Sequence, residues 1–476
     1  MAALFRYLTA FFLNYNVGRG SLVITLVASC LILLSMTLSS LPHGVGSYIS
    51  KALTCGVLAI AISSYISLRA FDSNRVFIGT GATLRRVFES MRTAHRPPRP
   101  PFWAYGCHVQ FAPWIIYNVI AASFAPLRYE KQIFRVRGLE DKTKPESKRN
   151  PRSMTDDVII NYFPPVSVAA DPVLPLDAPV ILFELGLTCT AQDIPGSSLP
   201  RRAVSRGFRV VVIERRGHAR ALQKPRWNLF GDSDDLEQIY NVVRGRFPSA
   251  QFFYVGISSG SKLPIEAVGK FDERRRHGDM SAPSFLATSC LCPGYNLETC
   301  FMGFKFPYNY ICLSSVKSKF LHENERILRN YDAASYEKAV ASGDLQSLLS
   351  HAARFAGYSC AEEYFAAENP VLFAAQITTP TLIINSLDDP CTVPQNAFGT
   401  MPRSTDGLTF ADMVEKSPCG ILLMSPSGSH CPFLDGQFWP FVRVPLALGG
   451  VAIASWADSC ILEFFEGYLA EQKRSR

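Results

Sequence analysis

Five residues, Gly256-Ile257-Ser258-Ser259-Gly260, restrict what this chain can fold into more than any others. They follow a strand-like run at 251–255 and precede a helix-compatible run from Lys262. A strand that must turn into a helix within so few residues forces its central serine into strained backbone angles, and only small neighbours avoid a clash there. Gly256 and Gly260 supply that room. The pattern predicts a strand–turn–helix unit that holds the Ser258 hydroxyl out at the end of a sheet. The next backbone N–H, that of Ser259, then faces any negative charge that develops on a carbonyl attacked by Ser258. The alternative is a Gly/Ser-rich turn with a solvated serine, and the remainder of the chain discriminates between the two.

From Pro179 onward the rhythm is that of such a sheet. Short apolar runs at 180–183, 210–213, 252–255, 285–288, 382–384 and 421–424 alternate with longer mixed segments. Continuous Val/Ile/Leu/Phe runs suit strands buried on both faces, and helical segments between them imply βα units and a parallel sheet. Residues 293–373 interrupt the rhythm and read as helical. An insertion there is expected to lie as a cap over the strand ends, where a substrate pocket forms. Upstream, 129–136 and 158–163 read as two strands joined by a polar Lys/Glu/Pro/Arg stretch. No aromatic residues interleave its charges, which argues against nucleic acid as a partner.

A chain of 476 residues holds one large domain of this kind plus appendages, and 48% hydrophobic with 18% charged residues is the balance of a folded protein. One appendage is apolar. Residues 22–41 carry no charge, and at ~1.5 Å per residue a run of that length crosses a hydrocarbon core of about 30 Å. Residues 52–68 are a second uncharged run, near the short limit for a span. A signal peptide fits the first run poorly, because its apolar core is long, starts late and is soon followed by another. A helix lying in the membrane interface is the alternative for the second. Arg6 and Arg19 precede the first run, Arg69, Arg75, Arg85 and Arg86 follow the second, and only Lys51 lies between. This asymmetry places both ends in the cytosol. The proline-rich run at 95–101 reads as a stiff, basic linker near the membrane surface. Thirteen cysteines with no Cys-x-x-Cys pair indicate neither a zinc site nor a disulfide framework, and free thiols agree with a reducing compartment.

A serine hydroxyl is a poor nucleophile at neutral pH. It needs a base, and the base needs an orienting acid. Two predicted strands are followed by Ser386-Leu387-Asp388-Asp389-Pro390 and by Ser425-Pro426-Ser427-Gly428-Ser429-His430. Each segment lies just past the carboxyl end of its strand, on the edge where Ser258 sits, in the order serine, acid, histidine. Taken singly, an Asp-Pro turn and a loop histidine are ordinary; in this order and register they form a candidate catalytic set. The residues alone leave Asp388 and Asp389 both open as the acid. A second oxyanion donor is expected from the loop after the first core strand, Phe183-Glu184-Leu185-Gly186-Leu187-Thr188, with Gly186 allowing close approach and Leu187 presenting its amide.

These motifs together resemble those of the membrane-anchored α/β-hydrolase-domain proteins, whose relatives include a bacterial hydrolase group and the yeast medium-chain fatty-acid ester synthase/esterases. The resemblance extends from about Gly106 to Tyr468. Gly106-Cys107-His108-Val109-Gln110 is similar to a Gly-His-Leu-Gln motif displaced by one residue. Gly186-Leu187-Thr188 is similar to the end of a His-Gly-Leu-Thr loop. Arg215-Arg216-Gly217, Pro225-Arg226 and Asp235-Leu236 match Arg-Gly, Pro-Arg and Asp-Leu positions, and Phe355-Ala356-Gly357-Tyr358 with Glu363-Tyr364 resembles the cap signature. The acid loop, Asn385 to Pro390, resembles Asn-x-x-Asp-Asp-Pro, in which the second aspartate is the triad member. The chain departs from the pattern at Leu185, Cys189 and Thr190 around the oxyanion loop, at Ser259-Gly260-Ser261 after the nucleophile, and at Ser429 and Pro432 around the histidine.

The resemblance implies an α/β-hydrolase fold and favours Asp389 over Asp388. The expected layout is a membrane region at 1–94, a linker and first motif at 95–128, core at 129–292, a helical cap at 293–375 and core again at 376–476. The implied function is a membrane-bound serine hydrolase of lipid or acyl esters, with Ser258 as nucleophile, His430 as base, Asp389 as orienting acid, and the Leu187 and Ser259 amides as oxyanion donors. It requires no metal or organic cofactor. Two alternatives stand beside it: acyl transfer to an alcohol, suggested by the His430-x-x-x-x-Asp435 spacing, and a hydrolase fold used only to bind lipid.

Overall fold

The computed structural model describes residues 73–100, 107–108, 110–111, 114, 126–138, 150–166, 174–191, 198–304, 307–393, 395–399, 407–435 and 455–475. Both predicted membrane runs, 22–41 and 52–68, lie outside these residues. Among the described residues no helix is long and apolar enough to cross a membrane.

Among the described residues nine strands form one sheet: β1 (Arg75–Ile78), β2 (Glu130–Val136), β3 (Asp156–Phe163), β4 (Val180–Glu184), β5 (Arg209–Glu214), β6 (Phe252–Ile257), β7 (Ala287–Leu291), β8 (Thr381–Ser386) and β9 (Gly420–Ser425), in the order β1-β9-β8-β7-β6-β4-β5-β3-β2. The six strands from β4 to β9 run parallel, and β2, β3 and β1 close the two edges antiparallel. Burial explains why the central strands read as unbroken apolar runs. Val180, Leu182, Val211, Ile213, Phe252 and Tyr254 enter the core on one face, while Ile181, Phe183, Val210, Val212, Phe253 and Val255 enter the core on the other. Alternate side chains of a strand point to opposite faces, so a strand covered by helices on both sides has no polar positions to spare. Helices Ser233–Arg246, Lys262–Arg276 and Phe410–Lys416 contribute to the first face, and Ala82–Ser90, Ser198–Ser205 and Trp456–Arg474 to the second.

Two elements differ from their expected positions. Strand β7 runs from Ala287 to Leu291, displaced from the expected 285–288. Its centre is polar but satisfied: Thr288 Oγ1 lies 2.8 Å from Thr381 Oγ1, and Ser289 Oγ donates to Leu382 O at 2.9 Å. Buried hydroxyls paired across strands leave no apolar run to read. Residues 75–90, grouped with the membrane region on sequence, instead supply β1 and a helix whose Leu84 and Val87 are buried with the Trp456–Arg474 helix. A four-residue edge strand is too short for its period to show.

Strand β4 is flanked by β5 on one side and β6 on the other: the chain moves from β4 to β5 and then crosses back past β4 to β6, which reverses the strand order there. In open α/β sheets, ligands bind at the carboxyl ends of strands where the order reverses in this way. The loop after β4 and the turn after β6 therefore meet over one crevice. Among the described residues, 297–368 form six short α-helices and a π-helical turn at Lys317–His322 with their own apolar core, shared with Leu222, Trp227, Leu229 and Phe230 from the loop after β5. Ser315 and Lys319 of this insertion touch Thr188 in the loop after β4. A nine-stranded, mostly parallel sheet with an elbow after β6 and a helical insertion is an α/β-hydrolase fold.

Candidate active site

Strand β6 ends at Ile257, a single turn of 3-10 helix covers Ser258–Ser261, and the Lys262–Arg276 helix begins at once. Ser258 has φ +54°, the left-handed region that non-glycine residues rarely occupy. The flanking glycines are steric necessities. A Cβ on Gly256 would stand 2.4 Å from the Gly260 carbonyl oxygen, and one on Gly260 would stand 2.4 Å from the Leu185 carbonyl oxygen. Ser261, where the resembling family carries glycine, lies fully buried with its hydroxyl 2.7 Å from Gly256 O and 3.0 Å from Leu291 O. It ties the elbow to the ends of two strands.

The three sequence-predicted side chains meet. Ser258 Oγ lies 2.7 Å from His430 Nε2, and His430 Nδ1 lies 2.9 Å and 3.0 Å from the two Asp389 oxygens. Residues from the ends of β6, β8 and β9 thus form one hydrogen-bonded line. Asp389 is held from behind: its Oδ1 accepts from the amides of Cys391 at 2.7 Å and Thr392 at 2.8 Å. Asp388, left open on sequence, points elsewhere. Its Oδ1 accepts from the amides of Gly428 at 2.9 Å and Ser429 at 2.8 Å, and its Oδ2 accepts from Ser427 Oγ at 3.3 Å. It clamps the loop that carries the histidine. Ser429, at φ +56°, completes that clamp: Ser386 Oγ donates to its carbonyl at 2.7 Å, and its own hydroxyl donates to Cys107 O at 2.6 Å. Gln110 donates to Ser427 Oγ at 2.7 Å. The Cys107–Gln110 motif therefore supports the histidine loop, a role its position more than 300 residues upstream conceals.

Burial opposes a charge on His430, but the Asp389 carboxylate outweighs it and holds the imidazole well above its ordinary pKa of 6.5. Protonated His430 cannot accept a proton from Ser258. If this line is catalytic, kcat/KM for ester hydrolysis is expected to rise with pH and to inflect above 6.5. A pH–rate profile on a soluble ester checks this, and an inflection below that value removes the electrostatic account of the pair.

The predicted oxyanion residues fall on both walls of the crevice. Ser259 follows the elbow serine. Gly186 lies against it, since a Cβ there would sit 3.5 Å from Ser258 Cβ, and Leu187 follows Gly186 in the same loop. The acid of the His430-x-x-x-x-Asp435 spacing does not join the site. Both Asp435 oxygens pair with Arg96, at 2.8 Å and 2.6 Å, and the Arg99 amide donates to it at 3.0 Å. Trp456 Nε1 donates to the carbonyls of Thr93 and Arg96, so the start of the proline-rich run is anchored to the core.

The eleven described cysteines are all free. Cys292, Cys431 and His430 bring donor atoms within 4.8 Å of one another, as do Asp389, Cys391 and His430. Both groupings draw on His430, whose two ring nitrogens already face Ser258 and Asp389. A metal held by either would compete with the serine–histidine–aspartate line. Sequence reasoning missed Arg215 as part of this region. It follows β5, is buried, and reaches the loop after β4.

No protein-family model matches the chain. It is similar to human phospholipase ABHD3, 26% identical over 271 residues, covering 55% of this chain and 60% of that protein. It is similar to human protein ABHD15, 26% identical over 275 residues, covering 55% and 50%. It is also similar to human monoacylglycerol lipase ABHD2, 21% identical over 281 residues, covering 55% and 59%. The match thus spans between half and three fifths of the length of these relatives. They are α/β-hydrolase-domain proteins. Among solved structures, an acylaminoacyl peptidase of Pyrococcus horikoshii aligns with TM-score 0.37 and 14% identity over 74% of this chain and 43% of that one. The α/β hydrolase MGS-M2, from a deep-sea metagenome library, aligns with TM-score 0.34 and 14% identity over 62% and 94%.

Proposed function

We propose that this protein is a serine hydrolase that cleaves carboxylic esters of lipids at a membrane through an acyl-serine intermediate. The observation that carries the reading is the continuous hydrogen-bonded line Ser258–His430–Asp389 at 2.7 Å and 2.9 Å, placed behind a serine held at φ +54°. Ser258 Oγ attacks the ester carbonyl while His430 Nε2 takes its proton. Asp389 keeps the other ring proton on Nδ1 and stabilises the imidazolium. The tetrahedral oxyanion is received by the backbone amides of Leu187 and Ser259. Collapse expels the alcohol, which takes the proton from His430, and water attacks the acyl-serine by the reverse route. Every step uses groups of this chain and water.

Lipid esters are favoured by two independent observations. Two of the relatives carry the names phospholipase and monoacylglycerol lipase. The uncharged runs at 22–41 and 52–68, with arginines outside them, would anchor the catalytic part on the cytosolic side of a membrane, where such esters dissolve. Acyl transfer to an alcohol would share the same acyl-serine. The acid that suggested it, Asp435, is occupied by Arg96.

The test is labelling of the full chain, in detergent micelles, with a fluorophosphonate, followed by a panel of monoacylglycerols, phospholipids and short soluble esters. The expected result is covalent labelling at Ser258, with hydrolysis of long-chain esters exceeding that of soluble ones. Folded protein that takes no label sinks the catalytic reading. Labelled protein that turns over only soluble esters sinks the lipid assignment.

A further inference from the structure

We propose that Arg215 and Lys319 are positioning residues that grip the oxyanion loop by its carbonyls, one from the core and one from the helical insertion, and so aim the Leu187 amide into the crevice. This rests on the serine-hydrolase reading above. The loop needs such a device. At Leu185, Cys189 and Thr190 it lacks the histidine and glycines of the pattern it resembles, and within it the Cys189 amide donates to Gly186 O only at 3.3 Å.

The geometry supplies it. Arg215 Nη2 donates to Leu185 O at 3.0 Å and lies 3.2 Å from Gly186 O. The Gly186 carbonyl and the Leu187 N–H belong to one planar trans peptide and point in opposite directions. Holding that carbonyl toward the core turns the Leu187 N–H away from it, on a loop already against Ser258. The same Nη2 lies 3.5 Å from Ser259 Oγ, so one guanidinium touches both halves of the predicted oxyanion hole. Arg215 is itself fixed. Its Nη1 stands 3.6 Å from Glu184 Oε2. His218 Nε2 is 3.1 Å from Nη2, and His218 Nδ1 is 3.2 Å from Arg216 O. With Nδ1 donating to that carbonyl, Nε2 presents its lone pair to the guanidinium. Burial and the neighbouring Arg215 charge keep His218 neutral, well below its ordinary pKa.

The helical insertion holds the same loop two peptides further on. Lys319 Nζ donates to Thr188 O at 3.1 Å, and Thr188 Oγ1 lies 2.9 Å from Ser315 Oγ. Thr188 sits at φ +58°, a conformation that a threonine keeps only when its surroundings impose it. Phe320, adjacent to Lys319, packs on His218 with ring centroids 4.6 Å apart and on Trp227 at 5.4 Å. Insertion, Arg215 turn and oxyanion loop therefore form one packed unit, and the seating of the insertion sets the hole.

The experiment compares Arg215→Lys, Lys319→Met and Lys319→Arg with the wild-type full chain in detergent. It reads kcat and KM on 4-nitrophenyl butyrate, the affinity for phenylboronic acid, and the thermal midpoint. The boronate adduct of a serine places an oxygen in the oxyanion hole, so its affinity reports the hole directly. Arg215→Lys is expected to lower kcat by about 10²-fold, the size of one lost oxyanion donor. KM should change little, and boronate affinity should fall in parallel. Lys319→Met is expected to shift the same two quantities in the same direction, and Lys319→Arg, which keeps a cationic donor, to restore them. If Arg215→Lys does not fold, the Lys319 pair decides alone. Folded variants with wild-type kcat and boronate affinity overturn the proposal, and so does a loss that tracks the thermal midpoint and is not restored by Lys319→Arg. A wild-type protein without Ser258-dependent turnover overturns the hydrolase reading itself.

Discussion

Ser258→Ala is expected to abolish ester turnover, lowering kcat on the order of 10⁶-fold, while leaving the fold intact. The reasoning is local. The substitution removes one oxygen, whose partner in the site is His430 Nε2 at 2.7 Å. The backbone at φ +54° and the glycine contacts around it are unaltered. Alanine tolerates that conformation no worse than serine, so the thermal midpoint should move little. Measuring kcat and thermal unfolding on the same preparation checks both halves. A folded variant that keeps a tenth of the wild-type rate would remove Ser258 as the nucleophile.

The second large effect separates the adjacent carboxylates. Asp389→Asn is expected to lower kcat by about 10⁴-fold, whereas Asp388→Asn should cost far less. The Asp389 Oδ1 position receives two amides, from Cys391 and Thr392. An asparagine there must place its carbonyl oxygen at that position, which turns its NH₂ group toward His430 Nδ1. The imidazole must then carry its proton on Nε2, where it can no longer accept one from Ser258. An asparagine at 388 can still accept from the Gly428 and Ser429 amides through its carbonyl, so the histidine loop keeps its main tether. The comparison is read as kcat for both variants under one condition, with thermal unfolding alongside. A larger loss in Asp388→Asn than in Asp389→Asn would reverse the assignment.

Much of the central sheet was legible because its strands are short, continuous and apolar, a pattern imposed by burial on both faces. Strand β7 was displaced because apolar Phe285 and Leu286 precede it while Thr288 and Ser289, which satisfy their hydroxyls across the sheet, interrupt its own apolar run. Strand β1 was missed because four residues carry too little period to be recognised. The supporting roles of Cys107 and Gln110 could be named only as motif positions, since their partners Ser429 and Ser427 lie far along the chain.

The sequence by itself determined the elbow and the order of its partners. The turn from strand to helix within a few residues is a local constraint, as at Gly256, where a Cβ would stand 2.4 Å from the Gly260 carbonyl oxygen, and a constraint of that kind is written locally. Tertiary structure decided the rest. It turned Asp389 toward His430 and Asp388 toward the histidine loop, although the two are chemically identical neighbours. It brought Arg215 to the Gly186 carbonyl and Lys319 to that of Thr188. Hydrogen bonds of this kind depend on distance and direction in space, and those are settled only when the strands pair into one sheet and the helical insertion packs onto it.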